Sequence, residues 1–91
     1  MASRINTTAA SADSAEFTPT GDVVLQAKIG SAQAIPTIAI MGRNDPTADL
    51  QVLMLWHPKS DPFIKFTPPK TVLLRMTLNI AGNNLQVWDN A

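Results

Sequence analysis

The chain has 91 residues, the size of a single domain, and its seven Lys and Arg residues balance seven Asp and Glu residues. This balance excludes the usual composition of a nucleic-acid-binding protein, whose affinity comes from clustered Lys and Arg. The chain has no cysteine, which excludes disulfides and thiolate metal sites. No run of about 20 apolar residues predicts a membrane span, and the first residues lack the apolar run of a signal peptide.

Charged residues make up only 15% of the sequence, whereas about 25% is typical of globular domains. A surface with so few charges repels copies of itself weakly. The composition therefore favours a protein that works inside an assembly.

Residues 1–16 differ from the rest of the chain, because Ala, Ser and Thr dominate and Ile5 is the one large aliphatic side chain. Such a segment has too little apolar area to order itself alone. It predicts either a mobile terminus or an extended N-terminal arm that becomes ordered against a neighbouring subunit, with Ile5 and Arg4 as its contacts. We therefore expect an arm over 1–16 and a β-sandwich domain over 17–91.

From Phe17 onward the sequence predicts a series of short strands separated by turns rich in Pro, Gly, Asn and Asp. Residues 23–29 alternate apolar and polar side chains, which is typical of a half-buried strand. Residues 37–42 are apolar on both faces and β-branched at alternate positions, which predicts a central strand. The predicted strands are 23–29, 37–42, 50–56, 63–66, 72–80 and 85–88.

The longest alternating stretch is 72–80, where every even position is apolar and Arg75, Thr77 and Asn79 are polar. Successive strand side chains point to opposite faces, so we expect Leu74, Met76 and Leu78 to be buried together. Several short strands at spacings of roughly 8–12 residues predict an all-β fold. We expect an antiparallel β-sandwich, jelly-roll or Ig-like, of about six to eight strands.

The residues that could carry chemistry do not form a catalytic pattern. His57 is the only histidine, and Ser60 and Asp61 lie near it in a loop bracketed by prolines. A Ser-His-Asp relay needs three aligned side chains and an oxyanion hole, and adjacency in one loop supplies neither. Asp45 and Asp49 could share a calcium ion, but calcium takes six to eight oxygens, so turn chemistry is favoured. We predict no enzyme, no cofactor and no metal site.

Trp56 and Trp88 could stack a base or a sugar. The chain has no tyrosine and no basic groove to accompany them, so packing in the core or at its rim is favoured. The sequence leaves six candidate partner contacts, namely Arg4, Ile5, Phe17, Trp56, His57 and Trp88.

The layout of the chain resembles the small β-sandwich proteins of tailed-phage virions, which are capsid decoration (cement) proteins and fibre or tail accessory domains. An Ala/Ser/Thr-rich lead is followed by Phe-Thr-Pro-Thr-Gly, a strand and a glycine. A second strand runs into Gly-Arg-Asn-Asp, and Phe-Thr-Pro-Pro precedes the long strand. These pieces, with the closing Ile-Ala-Gly-Asn-Asn-Leu-Gln-Val, lie at 10–30, 37–45, 66–75 and 80–87.

The resemblance implies a non-enzymatic virion structural protein, above all a capsid decoration protein that binds the assembled shell and stabilises it. It implies a homo-oligomer, with a trimer favoured, on the outer surface of the capsid, made in the host cytoplasm. The implied partners are the major capsid protein or other virion subunits, with no nucleic acid and no membrane. The alternatives are a tail, collar or fibre component, or a free-standing β-sandwich module that binds carbohydrate or peptide.

Overall fold

The computed structural model describes residues 2–31 and 33–90. Within these ranges it contains no helix, and so none that is long and apolar enough to cross a membrane. The same ranges form eight β-strands. They are β1 (Ser3–Thr7), β2 (Ala12–Asp13), β3 (Val23–Ile29), β4 (Thr37–Arg43), β5 (Gln51–Trp56), β6 (Phe63–Phe66), β7 (Thr71–Thr77) and β8 (Leu85–Asp89).

The strands form two sheets of four, and every paired strand runs antiparallel to its neighbour. The first sheet has the order β1-β8-β3-β6, and the second has the order β2-β7-β4-β5. One apolar cluster joins the inner faces of both sheets. The predicted all-β antiparallel sandwich is therefore confirmed.

The core follows from the alternation of the strands. In β3, Val23, Leu25 and Ala27 are buried while Gln26 and Lys28 are exposed. Strand β4 lies between β7 and β5, so it is central, as its two apolar faces predict. Gly42 is required there, because a Cβ atom at this position would lie 2.3 Å from the Pro69 side chain and 2.9 Å from the Thr71 carbonyl oxygen.

The N-terminal residues, expected to be an arm, belong to the sandwich of their own chain. β1 pairs with β8, and β2 pairs with β7, so each sheet gains one edge strand. Ile5 lies opposite Val87 and is only 4% exposed within the common core. The expected boundary at residue 16 is therefore corrected. Residues 3–7 and 12–13 are ordered by backbone pairing with β8 and β7, because their own side chains bury too little apolar area to order them.

The prediction that Leu78 is buried is wrong. β7 ends at Thr77, and Leu78 adopts a positive φ of 62° with 68% of its surface exposed. The buried residue is Asn79, whose amide nitrogen donates to the carbonyl oxygens of Ala9 and Asn83. These hydrogen bonds take the chain out of the strand, so the polar side chain turns inward and Leu78 outward.

Three alanine substitutions test this core. Ile5→Ala and Leu74→Ala should each lower the free energy of unfolding by about 2–5 kcal/mol, because both remove buried methyl groups and leave a cavity. Leu78→Ala should change it by no more than about 0.5 kcal/mol, because that side chain already lies in solvent. Urea unfolding of the three variants measures the difference, and a large loss for Leu78→Ala would contradict the outward orientation.

Candidate functional site

Three of the six predicted contacts are buried inside the protein. Ile5, Phe17 and Trp56 all belong to the apolar core. The Trp56 indole nitrogen donates to the carbonyl oxygen of Asp61 at 2.5 Å, so this tryptophan anchors the loop 57–62 from inside. The side chains of these three residues are out of reach of a partner, and their expected contact role is corrected to a role in packing.

Arg4 lies at the edge of the core. Its Nε donates to Oδ2 of Asp89 at 2.5 Å, and its guanidinium carbon lies 3.9 Å from the centre of the Phe17 ring. The side chain of Asp89 is 4% exposed and that of Arg4 is 23% exposed. Asp89 also accepts a hydrogen bond from the backbone nitrogen of Ala2. Arg4 therefore neutralises a buried carboxylate and ties β1 to β8 and Phe17.

Arg4→Ala should lower the free energy of unfolding by about 1.5–3 kcal/mol, because it removes a short hydrogen bond between two charged groups, one of which is buried. Chemical denaturation measures this loss. The matched control is Arg75→Ala, since Arg75 pairs with Asp13 at 3.0 Å where both side chains are exposed. The control should have a much smaller effect, and equal losses for the two variants would contradict the assignment.

His57 is exposed at the start of a tight turn. Its carbonyl oxygen accepts hydrogen bonds from the backbone nitrogens of Ser60, at 3.1 Å, and Asp61, at 3.0 Å. Its ring Nδ1 lies 3.5 Å from the hydroxyl oxygen of Thr37. The contacts between His57 and its two polar neighbours thus run through the backbone of a turn.

His57→Ala should leave the free energy of unfolding within about 0.5 kcal/mol of the wild-type value, since an exposed loop side chain contributes little to stability. Binding to any partner should also be unchanged. Thermal unfolding and a parallel binding measurement check both expectations. Weaker binding at unchanged stability would place the loop 57–62 in the contact surface.

Asp45 closes a turn between β4 and β5. Its Oδ1 accepts hydrogen bonds from the backbone nitrogen of Thr47 at 2.9 Å and from the Thr47 hydroxyl at 2.8 Å. Both hydrogen bonds lower the pKa of Asp45, and the one from the Thr47 backbone nitrogen has the larger effect. Over 2–31 and 33–90, no group of three or more His, Cys, Asp or Glu side chains is placed to hold a metal ion.

Trp88 is half-buried on the outer face of the first sheet. It pairs with Gln26, which in turn pairs with Phe63, an exposed aromatic residue. A hollow of about 140 Å³ lies among these residues and Val24. We call Val24, Phe63 and Trp88 the aromatic patch.

A second exposed apolar surface lies on β5, the edge strand of the other sheet. Val52, Leu53 and Leu55 are 55%, 45% and 59% exposed. Leu55 pairs with Ala39, on the face opposite the buried Ile38 and Ile40. The ladder is irregular between Ile40 and Met41, and Leu53 is the extra residue there, so Val52 and Leu53 share the side of Met41. We call Val52, Leu53 and Leu55 the β5 surface.

A third surface lies at one end of the sandwich. Thr37 and Thr77 are the terminal pair of β4 and β7, and the exposed residues Ile35, Leu78 and Ile80 all lie within three residues of that pair. We call these three residues the apolar tip.

The backbone beneath the apolar tip is held by buried polar groups. The Asn83 amide nitrogen donates to Asn79 Oδ1 at 2.8 Å, and both residues are buried. The backbone nitrogen of Gly82 donates to the Thr8 carbonyl oxygen at 2.8 Å. Leu78 and Ile80 are therefore presented by a fixed loop.

Sequence reasoning missed the apolar tip because it continued the strand to residue 80, with Leu78 in the core and Ile80 on the same apolar face. The available signal was the polar residue Asn79 between them, followed closely by Gly82, which indicates that the turn begins before residue 81. Comparison of the chain with protein-family models, curated proteins and solved structures found no match.

Proposed function

We propose that this chain is a non-enzymatic structural protein of a tailed-phage virion, and that it acts as a capsid decoration protein. The single observation that supports this most is Leu78, an aliphatic residue held outward in a left-handed backbone conformation. The resemblance to small virion β-sandwiches supplies the class of partner, which is the assembled shell.

The conformation of Leu78 is unfavourable in the isolated chain. For an L-residue with a Cβ atom, the left-handed region costs roughly 1–2 kcal/mol, and the exposed side chain gains nothing from the core. Such outliers persist where the surroundings impose them, and they concentrate at binding and switch sites. Here Asn79 and Asn83 impose it.

A partner would recover what the isolated chain leaves exposed. Covering Leu78 and Ile80 would contribute up to roughly 1.5–3 kcal/mol for each side chain. Because the loop is fixed by its hydrogen bonds to Thr8, Ala9 and Ala10, little ordering entropy opposes binding. The apolar tip therefore fits the role of a preorganised contact.

Mass action supplies the mechanism of stabilisation. A protein that binds only the assembled shell shifts the equilibrium toward that shell. The neutral net charge of the chain allows many copies to bind near one another without strong repulsion. The resemblance implies three copies where capsid subunits meet, and that number belongs to the proposal.

The aromatic patch favours the second candidate, a module that binds carbohydrate or peptide. An exposed Phe63 beside a half-buried Trp88 and a shallow hollow is the kind of platform on which a sugar ring can stack. A module of this kind would use Phe63 for binding and would not need Leu78.

Binding to shells tests the proposal and separates the two candidates. The probe is the major capsid protein encoded beside the gene for this chain, assembled into empty shells, and the readout is cosedimentation. Leu78→Asp should weaken binding at least tenfold, which is about 1.4 kcal/mol. Phe63→Asp is the matched control, because it places the same charge on a similarly exposed apolar residue, and it should bind as the wild type does.

Three results would contradict the proposal. The first is wild-type protein that does not bind the shells, and the second is a gene with no virion gene beside it. The third is loss of binding in Phe63→Asp with none in Leu78→Asp, which would move the contact to the aromatic patch and favour the module.

A further inference from the structure

We propose that β5 is where two copies of this chain pair, strand against strand and antiparallel, so that the β2-β7-β4-β5 sheets of both copies join into one continuous eight-stranded sheet. The partner is a second copy of the chain. The inference goes beyond the proposed function, because it concerns the free protein and does not depend on a shell.

The free side of β5 is an uncharged strand edge. β5 has only β4 as a neighbour in its sheet, so backbone groups along its outer side have no partner in that sheet. Its six residues, Gln-Val-Leu-Met-Leu-Trp, include no charge and no proline. Edge strands of soluble monomers are normally kept from pairing by lysine, proline, a β-bulge, short length or a covering segment. Of these, β5 has the irregularity at Leu53 but no lysine and no proline.

The other sheet edges carry such protection. β6 contains Lys65 and has four residues. β1 contains Arg4, and β2 has only two residues. Among the strands that the structure describes, β5 therefore combines the greatest length of free edge with the most apolar sequence.

The side chains of β5 are compatible with pairing to a second β5 strand about a two-fold axis. In an antiparallel pair, residues that face each other lie on the same side of the sheet. A register centred on Met54 places Leu53 of one copy opposite Leu55 of the other, and both belong to the β5 surface. It also places the two Met54 side chains, which lie on the inner face with Ile40, opposite each other.

Charge and area both indicate a second copy and a weak complex. The β5 surface carries no charged residue and the net charge of the whole chain is zero, so two identical edges meet without electrostatic repulsion. A standard interface buries about 800 Å² per partner, roughly a sixth of the 5159 Å² surface of this chain. One strand edge with three half-exposed side chains covers less than that. We therefore expect a dimer that dissociates at low protein concentration.

Mass in solution tests the dimer. Wild-type protein should move from the monomer mass to twice that mass as its concentration rises through the micromolar range, in sedimentation equilibrium. Leu55→Asp should remain monomeric at tenfold higher concentration, because it brings carboxylates together in the uncharged interface. Leu78→Asp, the same change on the apolar tip, should dimerise as the wild type does.

The absence of cysteine from the chain allows a clean test of register. Met54→Cys should form a disulfide-linked dimer on mild oxidation, because facing residues of paired strands have Cβ atoms close enough for the bond. Cross-linking through Leu55→Cys in place of Met54→Cys would overturn the register. Cross-linking through neither, or a monomer at every concentration, would overturn edge pairing.

The two proposals fail in different ways. An isologous contact closes at two copies, so a mass of three copies unchanged by Leu55→Asp would reject the β5 pairing and leave shell binding intact. A protein that dimerises as expected but does not bind shells would reject shell binding and leave the β5 pairing intact. Circular dichroism of each variant shows that it is folded.

Discussion

The structure depends on burying the inner faces of two four-stranded sheets against each other with no disulfide to assist. In a chain of 91 residues, the small core must draw side chains from nearly every strand. Leu25 and Val87 from one sheet and Ile38 and Leu74 from the other are all fully buried. Ile5 enters the same cluster from the N terminus. This requirement explains why the weakly apolar first residues pair with their own chain.

The same constraint explains where the alternation of 72–80 stops. Beyond Thr77 the chain must turn back toward β8, and Asn79 makes that turn by bonding the segment between β1 and β2. Its inward amide donates to the carbonyl oxygen of the buried Asn83, and a buried group left unsatisfied costs about 1–3 kcal/mol. Leu78 is displaced outward as a consequence. The apolar tip is thus produced by the way the sandwich closes.

The strands from β3 onward could be predicted from sequence because their alternation is local. Strands 23–29 and 63–66 have the predicted bounds, and β4, β5 and β8 differ from prediction by one residue at one end. β1 could not be predicted, because its stability comes from β8, more than 75 residues away. Leu78 could not be placed for the same reason, since the partners of Asn79 include Ala9, 70 residues earlier.

The candidate surfaces were hard to predict because residue type does not report exposure. Tryptophan and histidine suggest contacts by their chemistry, yet Trp56 lies in the core and His57 begins a turn. Val52, Leu53 and Leu55 belong to a stretch that is apolar on both faces, and the pattern alone does not say which face the chain covers with its own residues. They are exposed because β5 ends its sheet, and strand order is a property of the whole fold.

The positions of the apolar tip and the β5 surface link the two proposals. β5 runs along the side of the sandwich, and its last residue, Trp56, pairs with Ile38 at the end that carries the tip. Antiparallel pairing of two β5 strands therefore directs the two apolar tips to opposite ends of the joined sheet. Such a dimer can set only one of its tips on a given surface. If both proposals hold, copies that stand side by side on one shell through their tips would first separate their β5 edges, so the monomer would be the form that binds the shell. The proposed dimer would have to be weak for this relation to work, because it would cover the β5 edge of the free protein and would still dissociate when a shell binds many tips at once.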